Sequence, residues 1–284
     1  MLRELRRWLG MALVCCLTTG AGTSLLTEQA RQVWAESSEF AAVVHTPSPL
    51  TTGEAAPVFR VEVIRGEETP AAAPMRILIY HTHTYEAYEQ MPDAPYQPTE
   101  KWRTADSAHN VVAVGRALAG SLRAMGFEVV HDETAFEPPN LDDAYDRSLT
   151  MLEARAQAGE TYDLYIDVHR DAIASSSTIR KTVSIGGEEV ARFMVLVGQG
   201  TTGGYAVKPD WEVNLALANR ITDSLNAQCE GIARDVKVKT GRFNQHVADN
   251  CVLIECGMHL NTLEQVLRGI PYLAQAIADA MQDM

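Results

Sequence analysis

From Met75 to the C-terminus, short apolar runs alternate with amphipathic segments of helical length. Arg76–Tyr80 is a short apolar run of the kind found in buried strands. Ser107–Met125 carries Val111, Val114, Leu118 and Leu122 at helical spacing and stops at Gly126. Phe127–His131 reads as a second strand, Leu141–Ala158 as a helix halted by Gly159, and Asp163–Val168 as a third strand. Lys181–Ile185 and Val190–Val197 flank Gly186-Gly187, a hairpin signal. Glu212–Gln228 reads as a helix, Asp235–Val238 as a short strand, Val252–Glu255 as a buried strand and Thr262–Met281 as a last helix. Strands alternating with helices predict an α/β fold, with a mostly parallel central sheet flanked by helices on both faces.

The first 74 residues follow another pattern. Arg3, Arg6 and Arg7 precede an uncharged stretch, Trp8–Leu26, so residues 1–26 read as a signal peptide or membrane anchor. The absence of a clean Ala-x-Ala site favours the anchor. Residues 27–74 carry Pro47, Pro49, Pro57, Pro70 and Pro74 and read as a Pro-rich linker. Within it Phe59–Ile64 alternates like one strand, with no obvious partner. No later segment suits a membrane span. The expected placement is therefore a cell membrane, with one N-terminal anchor and residues 75–284 as an extracytoplasmic domain, or secretion if the leader is cleaved.

Composition narrows the classes. The formal net charge of −13 and the lack of a basic run argue against nucleic acid as a partner. Of five cysteines, Cys15 and Cys16 fall in the leader; Cys229, Cys251 and Cys256 form no Cys-x-x-Cys and read as core residues. There is no Gly-rich phosphate loop, no Gly-x-Ser-x-Gly elbow and no His-Glu-x-x-His, which disfavours kinases, dehydrogenases and serine hydrolases.

The candidate chemistry lies at strand ends. Ile77-Leu-Ile-Tyr-His-Thr-His83 and Leu164-Tyr-Ile-Asp-Val-His-Arg170 end in histidines, and Cys251-Val-Leu-Ile-Glu255 in a glutamate. The carboxyl ends of parallel strands converge on a ligand crevice. Imidazoles and carboxylates gathered there suit a zinc ion and a general base. His81 and His83, two apart on an extended segment, are expected to point the same way about 7 Å apart. Asp167, His169, Arg170 and Asp171 form a dense charged run in which a carboxylate can orient a ligating histidine. Glu255, straight after an apolar run, is expected to be desolvated and to have a raised pKa. Glu86, three residues past His83, and Asp106, at the opening of the long helix, compete for a third ligand position. Arg147 and Ser148 read as helix residues, Arg147 also as a candidate to bind substrate; Arg242, Asn244 and Gln245 sit in a loop suited to a substrate groove, alongside His81 and Asp171. Cys256 lies among apolar neighbours that argue against a reactive thiolate.

Five ordered segments resemble the stage II sporulation protein P family. They are Ile77-Leu-Ile-Tyr-His-Thr-His-Thr-Tyr-Glu-Ala-Tyr88, Asn110-Val-Val-Ala-Val-Gly115, Ala144-Tyr-Asp-Arg-Ser148, Ile166-Asp-Val-His-Arg-Asp171, and Leu253-Ile-Glu-Cys-Gly257 with Asn261-Thr262. The resemblance implies an amidase-like fold and a zinc-dependent N-acetylmuramoyl-L-alanine amidase acting on peptidoglycan, with a second endopeptidase activity allowed. It implies that His83 and His169 hold zinc and that Glu255 is the base. Glu86 stands in the family motif, whereas Asp106 better matches the helix-start glutamate of the amidases. Arg170 or Arg242 would meet an oxyanion or a stem-peptide carboxylate. The implied partners are a lytic transglycosylase resembling stage II sporulation protein D and a membrane protein. The chain departs from the family at Tyr85, Phe243, Met258 and His259, the last two of which are expected to narrow the groove or alter the choice of substrate. The alternative reading is a non-catalytic wall-binding or scaffold module on the same fold.

Overall fold

The computed structural model describes residues 41–43, 62–64, 73–174 and 176–282. The expected anchor, residues 1–26, lies outside the described residues, as does most of the linker. Strands β1 (Ala41–Val43) and β2 (Glu62–Ile64) pair antiparallel, so the strand read without a partner does have one, some twenty residues upstream. The chain divides into two compact units, residues 1–73 and 74–284. Among the described residues no helix is long and apolar enough to cross a membrane.

The second unit is built on a six-stranded sheet ordered β4-β3-β5-β10-β8-β9. Its members are β3 (Arg76–Tyr80), β4 (Glu128–His131), β5 (Leu164–Asp171), β8 (Phe193–Gly198), β9 (Lys237–Lys239) and β10 (Cys251–Met258). β4, β3, β5 and β10 run parallel; β8 pairs antiparallel with β10 and parallel with β9. The mostly parallel sheet is thus present, with one reversed edge. β6 (Thr182–Ile185) and β7 (Glu188–Ala191) form a separate hairpin. The run read as Val190–Val197 is broken at Arg192: its first part closes the hairpin and its second enters the main sheet.

Side-chain alternation sorts the two faces. Ile77 and Ile79, Ile166 and Val168, and Val252 and Ile254 pack with helices α1 (Val111–Ala124), α3 (Trp211–Gln228) and α4 (Leu263–Gln282) in the larger core. Leu78 and Tyr80 pack on the other face with Leu152 of α2 (Ala144–Gln157) and with Tyr162. Both faces therefore carry helix, three against one among the described residues.

Helix α1 begins later than its pattern suggests. Asn110 caps it, its Oδ1 accepting from the Val112 N–H at 2.9 Å. Asp106 belongs to a turn before that cap, where it accepts from the Ala108 N–H at 2.9 Å. The expectation that Asp106 opens the helix is corrected accordingly. Gly115 lets α1 approach the sheet: a Cβ there would come within 2.5 Å of the His81 ring and 2.7 Å of the His131 ring.

Candidate active site

Register brings the chemistry together. Across β5 and β10, Glu255 stands opposite His169 and Leu253 opposite Asp167, while Tyr80 of β3 stands opposite Asp167. Paired residues share a face, so Asp167, His169 and Glu255 all point to the α2 side. Their neighbours Val168, Ile254 and Cys256 enter the larger core. β5 extends to Asp171, three residues beyond its expected end, so His169 is held inside a strand.

Asp167 is anchored by the turn after β3. It accepts from the Thr82 N–H at 2.8 Å and from the Thr82 hydroxyl at 2.7 Å. Thr82 Oγ1 lies 2.9 Å from Ser148 Oγ of α2, and Asn244 donates to Ser148 Oγ at 3.0 Å and to the Tyr145 carbonyl at 2.8 Å. Asn244 holds a left-handed backbone, φ 54°, to reach them.

The His169 ring lies between two carboxylates. Nε2 is 2.9 Å from Asp167 Oδ1, a contact too misaligned for a directed hydrogen bond, and Nδ1 is 3.3 Å from Glu86 Oε2. Burial works against the imidazolium, but the charges of Asp167 and Glu86 outweigh it and hold His169 well above the usual histidine range. Burial raises Glu86 and Asp167 in turn, and the His169 charge overcomes it, keeping both below the ordinary carboxylate range.

His83 stands across from this group, its ring centroid 5.2 Å from that of His169 and 5.3 Å from that of Tyr145. Its Nδ1 is 3.8 Å from Glu137 and has no hydrogen-bond partner. Burial and then the His169 charge push its pKa down to about 4. Glu255 is buried and its Oε2 is unpartnered. Burial raises its pKa to about 8, against the pull of His169 and with the help of Glu86 and Asp171.

Other expected residues take different places. Glu86 touches His169 and accepts from the Arg170 N–H at 3.0 Å, whereas Asp106 is half exposed and pairs with His109 at 2.8 Å. His81 does not share His83's direction, because the strand ends at Tyr80 and the chain turns. Its ring is fully buried beneath α1, with Nδ1 3.0 Å from the Val168 carbonyl and Nε2 2.8 Å from His131 Nε2. The Arg170 guanidinium donates to the Ala87 and Trp102 carbonyls, at 3.1 and 3.3 Å, so its donors fasten a loop. Arg147 donates to the Phe136, Glu137 and Asn140 carbonyls. Gln245 accepts from Gly198 N–H at 2.8 Å and donates to the Leu196 carbonyl at 2.9 Å, bolting its loop to β8. Arg242 stacks on Tyr205, 4.1 Å from the ring centroid. Asp171 pairs with Arg234 at 2.6 Å. Met258 is fully buried, and His259 packs on Trp102 with both ring nitrogens unpartnered.

Two residues beside His83 escape a reading of the sequence: Glu137, whose pKa burial raises, and Arg103, which pairs with it. Both lie in loops, where no periodicity marks a buried side chain.

Among the described residues no three His, Cys, Asp or Glu side chains close around one point, with both His169 nitrogens turned to carboxylates. The donors nevertheless fit zinc in kind: two imidazoles and a carboxylate. His83 Nδ1 and Glu255 Oε2 are buried without partners, and unpartnered buried polar atoms are costly. Glu86 and Asp167, both held ionised, gather negative charge that a dication would balance in place of the His169 proton.

An α/β domain with histidines and carboxylates massed at the carboxyl ends of its central strands is thus defined. The model of the stage II sporulation protein P (SpoIIP) family matches residues 31–278, and the chain belongs to that family. It is 25% identical over 219 residues to stage II sporulation protein P of Bacillus subtilis (strain 168), covering 73% of this chain and 50% of that protein. The chain therefore spans about half the length of the curated relative it matches. Solved structures of similar course include the N-acetylmuramoyl-L-alanine amidase from Clostridium difficile 630 (13% identity, TM-score 0.46, 75% of this chain and 97% of that one). The CwlD amidase from Clostridioides difficile, solved in complex with the GerS lipoprotein, is 15% identical with a TM-score of 0.46, over 74% of this chain and 97% of that one. At TM-scores below 0.5 these likenesses are too distant to bear on activity.

Proposed function

We propose that this protein is a peptidoglycan hydrolase that cleaves the amide between the muramic lactyl group and L-Ala of the stem peptide. The observation that carries the proposal is Glu255: a buried carboxylate, unpartnered at Oε2, raised to about 8 and placed across the ladder from His169. Such a group takes a proton from an attacking water and returns it to a leaving amine near neutral pH. Membership of the family supports the substrate class.

In this reading His83, His169 and Glu86 would hold zinc. When bound, the ion polarises the scissile carbonyl and makes a water acidic enough to attack. Asp167, fixed by Thr82, orients His169. Tyr145, against His83, walls the site with an apolar ring. A membrane tether through residues 1–26, action during sporulation, an accompanying endopeptidase activity and a lytic transglycosylase partner belong to the same proposal.

Mass spectrometry of purified peptidoglycan treated with the full chain tests it. Stem peptides beginning at L-Ala are expected with zinc and absent after chelation. Cleavage only within crosslinks would replace the amidase with an endopeptidase. A second reading, a wall-binding module without catalysis, is favoured by the contact of both His169 nitrogens with carboxylates. Binding to peptidoglycan with no new products, by protein shown to hold zinc, would establish it.

A further inference from the structure

A charged depression borders the cluster. In the ladder of β8 and β10, Met194 stands opposite Glu255, so the two share a face of the sheet. Leu196 stands opposite Lys237 of β9 and Gly198 opposite Lys239, which places both lysines on that face as well. Met194, Arg192, Arg234 and Lys237 line a depression there, with Ile179 and Asp235 on its wall.

In a chain of formal net charge −13 this is a concentration of cations. Two of them are fixed. Arg192 donates to the Gly231, Arg180 and Ala233 carbonyls at 2.6, 3.2 and 3.3 Å, and Arg234 pairs with Asp171. Two lysines are free to meet a ligand: Lys237 in the lining and Lys239, the next residue on that face of β9 and outside the lining, are exposed and form no ion pair among the described residues. Burial, and then the charges of Arg180 and Arg234, lower the pKa of Arg192, so the cations crowd one another beyond what Asp235 relieves. The charge of Lys239 reaches Glu255.

We infer that this depression is a subsite for a side-chain carboxylate of the stem peptide, paired by Lys237 of the lining and by Lys239 from its rim, in the field of the fixed Arg192 and Arg234. The inference rests on the reading of the neighbouring cluster as acting on peptidoglycan. Lys237 lies two strands across from Glu255 and two residues along, because it stands opposite Leu196 and Leu196 opposite Leu253; at about 4.8 Å per strand and about 3.4 Å per residue the separation is about 12 Å. An extended peptide advances about 3.4 Å per residue. The carboxylate therefore belongs to about the third residue from the scissile bond, and the peptide crosses β8 over Met194.

The test is titration calorimetry of the full chain with a synthetic stem tetrapeptide bearing free carboxylates and with its fully amidated counterpart. Two exposed ion pairs predict that amidation weakens binding by about tenfold, and that Lys237→Gln with Lys239→Gln does the same. In the double variant, amidation should then have little further effect. Equal affinity for the two peptides, an unchanged affinity in the double variant, or no binding of the tetrapeptide would each overturn the subsite. Glycerol phosphate displacing the tetrapeptide at equal concentration would also overturn it, since the site would then read charge alone. Charge-dependent binding without cleavage of whole peptidoglycan would keep the subsite and remove the hydrolase. Cleavage with charge-indifferent binding would do the reverse.

Discussion

His81 and His83 stand two residues apart and lie in opposite surroundings. His81 is wholly buried beneath α1, with both ring nitrogens at hydrogen-bond distance from partners, the Val168 carbonyl and His131. His83 is partly open, with an unpartnered Nδ1 beside Glu137 and its ring edge-on to His169. On one side of the sheet the polar groups are matched and bind the layers together. On the other they are gathered, charged and unmatched, a state that costs about 1–3 kcal/mol per orphaned group. Under the proposed function, that difference separates a structural histidine from a chemical one better than burial does.

The sharpest way to break the comparison is to truncate each ring. His83→Ala should abolish zinc retention and lower hydrolysis by more than about a hundredfold, with the urea midpoint little changed. His81→Ala should instead lower stability by about 3 kcal/mol, through a cavity and an orphaned His131, while folded protein keeps its zinc. Metal content and urea unfolding of both variants decide it; a zinc-free, stable His81→Ala would reverse the assignment.

Smaller effects probe the supports. Gly115→Ala drives a methyl into the two rings under α1 and should cost about 1–3 kcal/mol by overpacking. Thr82→Ala removes the hydroxyl bond to Asp167 and should cost about 2 kcal/mol, with hydrolysis falling as His169 loses its orientation. Unfolding curves and rates on the same samples check both.

The smallest effect is set by pH. Burial lowers His81 to about 3 and also lowers His131, against about 6.5 in the unfolded chain. Below pH ~6.5 the unfolded chain binds protons that the folded one refuses. Stability is therefore full above that value and is lost as pH falls toward 3. Between pH 7 and 5.5 the loss from His81 should be about 1 kcal/mol, with His131 adding in the same direction. Urea midpoints at the two values measure it, and His131→Gln should remove part of the slope.

The sheet was legible because apolar runs fix β3, β5 and β10, and their ends announced His83, His169 and Glu255. What one strand does to the next was not. The turn after Tyr80 that parts His81 from His83, and the Asn110 cap that leaves Asp106 outside the helix, depend on local backbone bonds. Arg147, Arg170 and Gln245 resembled groove residues, yet they hold loop carbonyls, because buried loops must satisfy their backbone. The partner of β2 lay too far upstream for any local pattern to name it.

The most direct measurement is the rate of stem-peptide release from purified peptidoglycan by Glu255→Gln, with its unfolding midpoint taken on the same sample. The account predicts a loss of about a hundredfold or more with a midpoint equal to or above that of the parent, since a buried, unpartnered carboxylate is removed. A rate within about twofold of the parent, far short of the loss expected for a general base, would contradict the placement of the reaction at this face of the sheet.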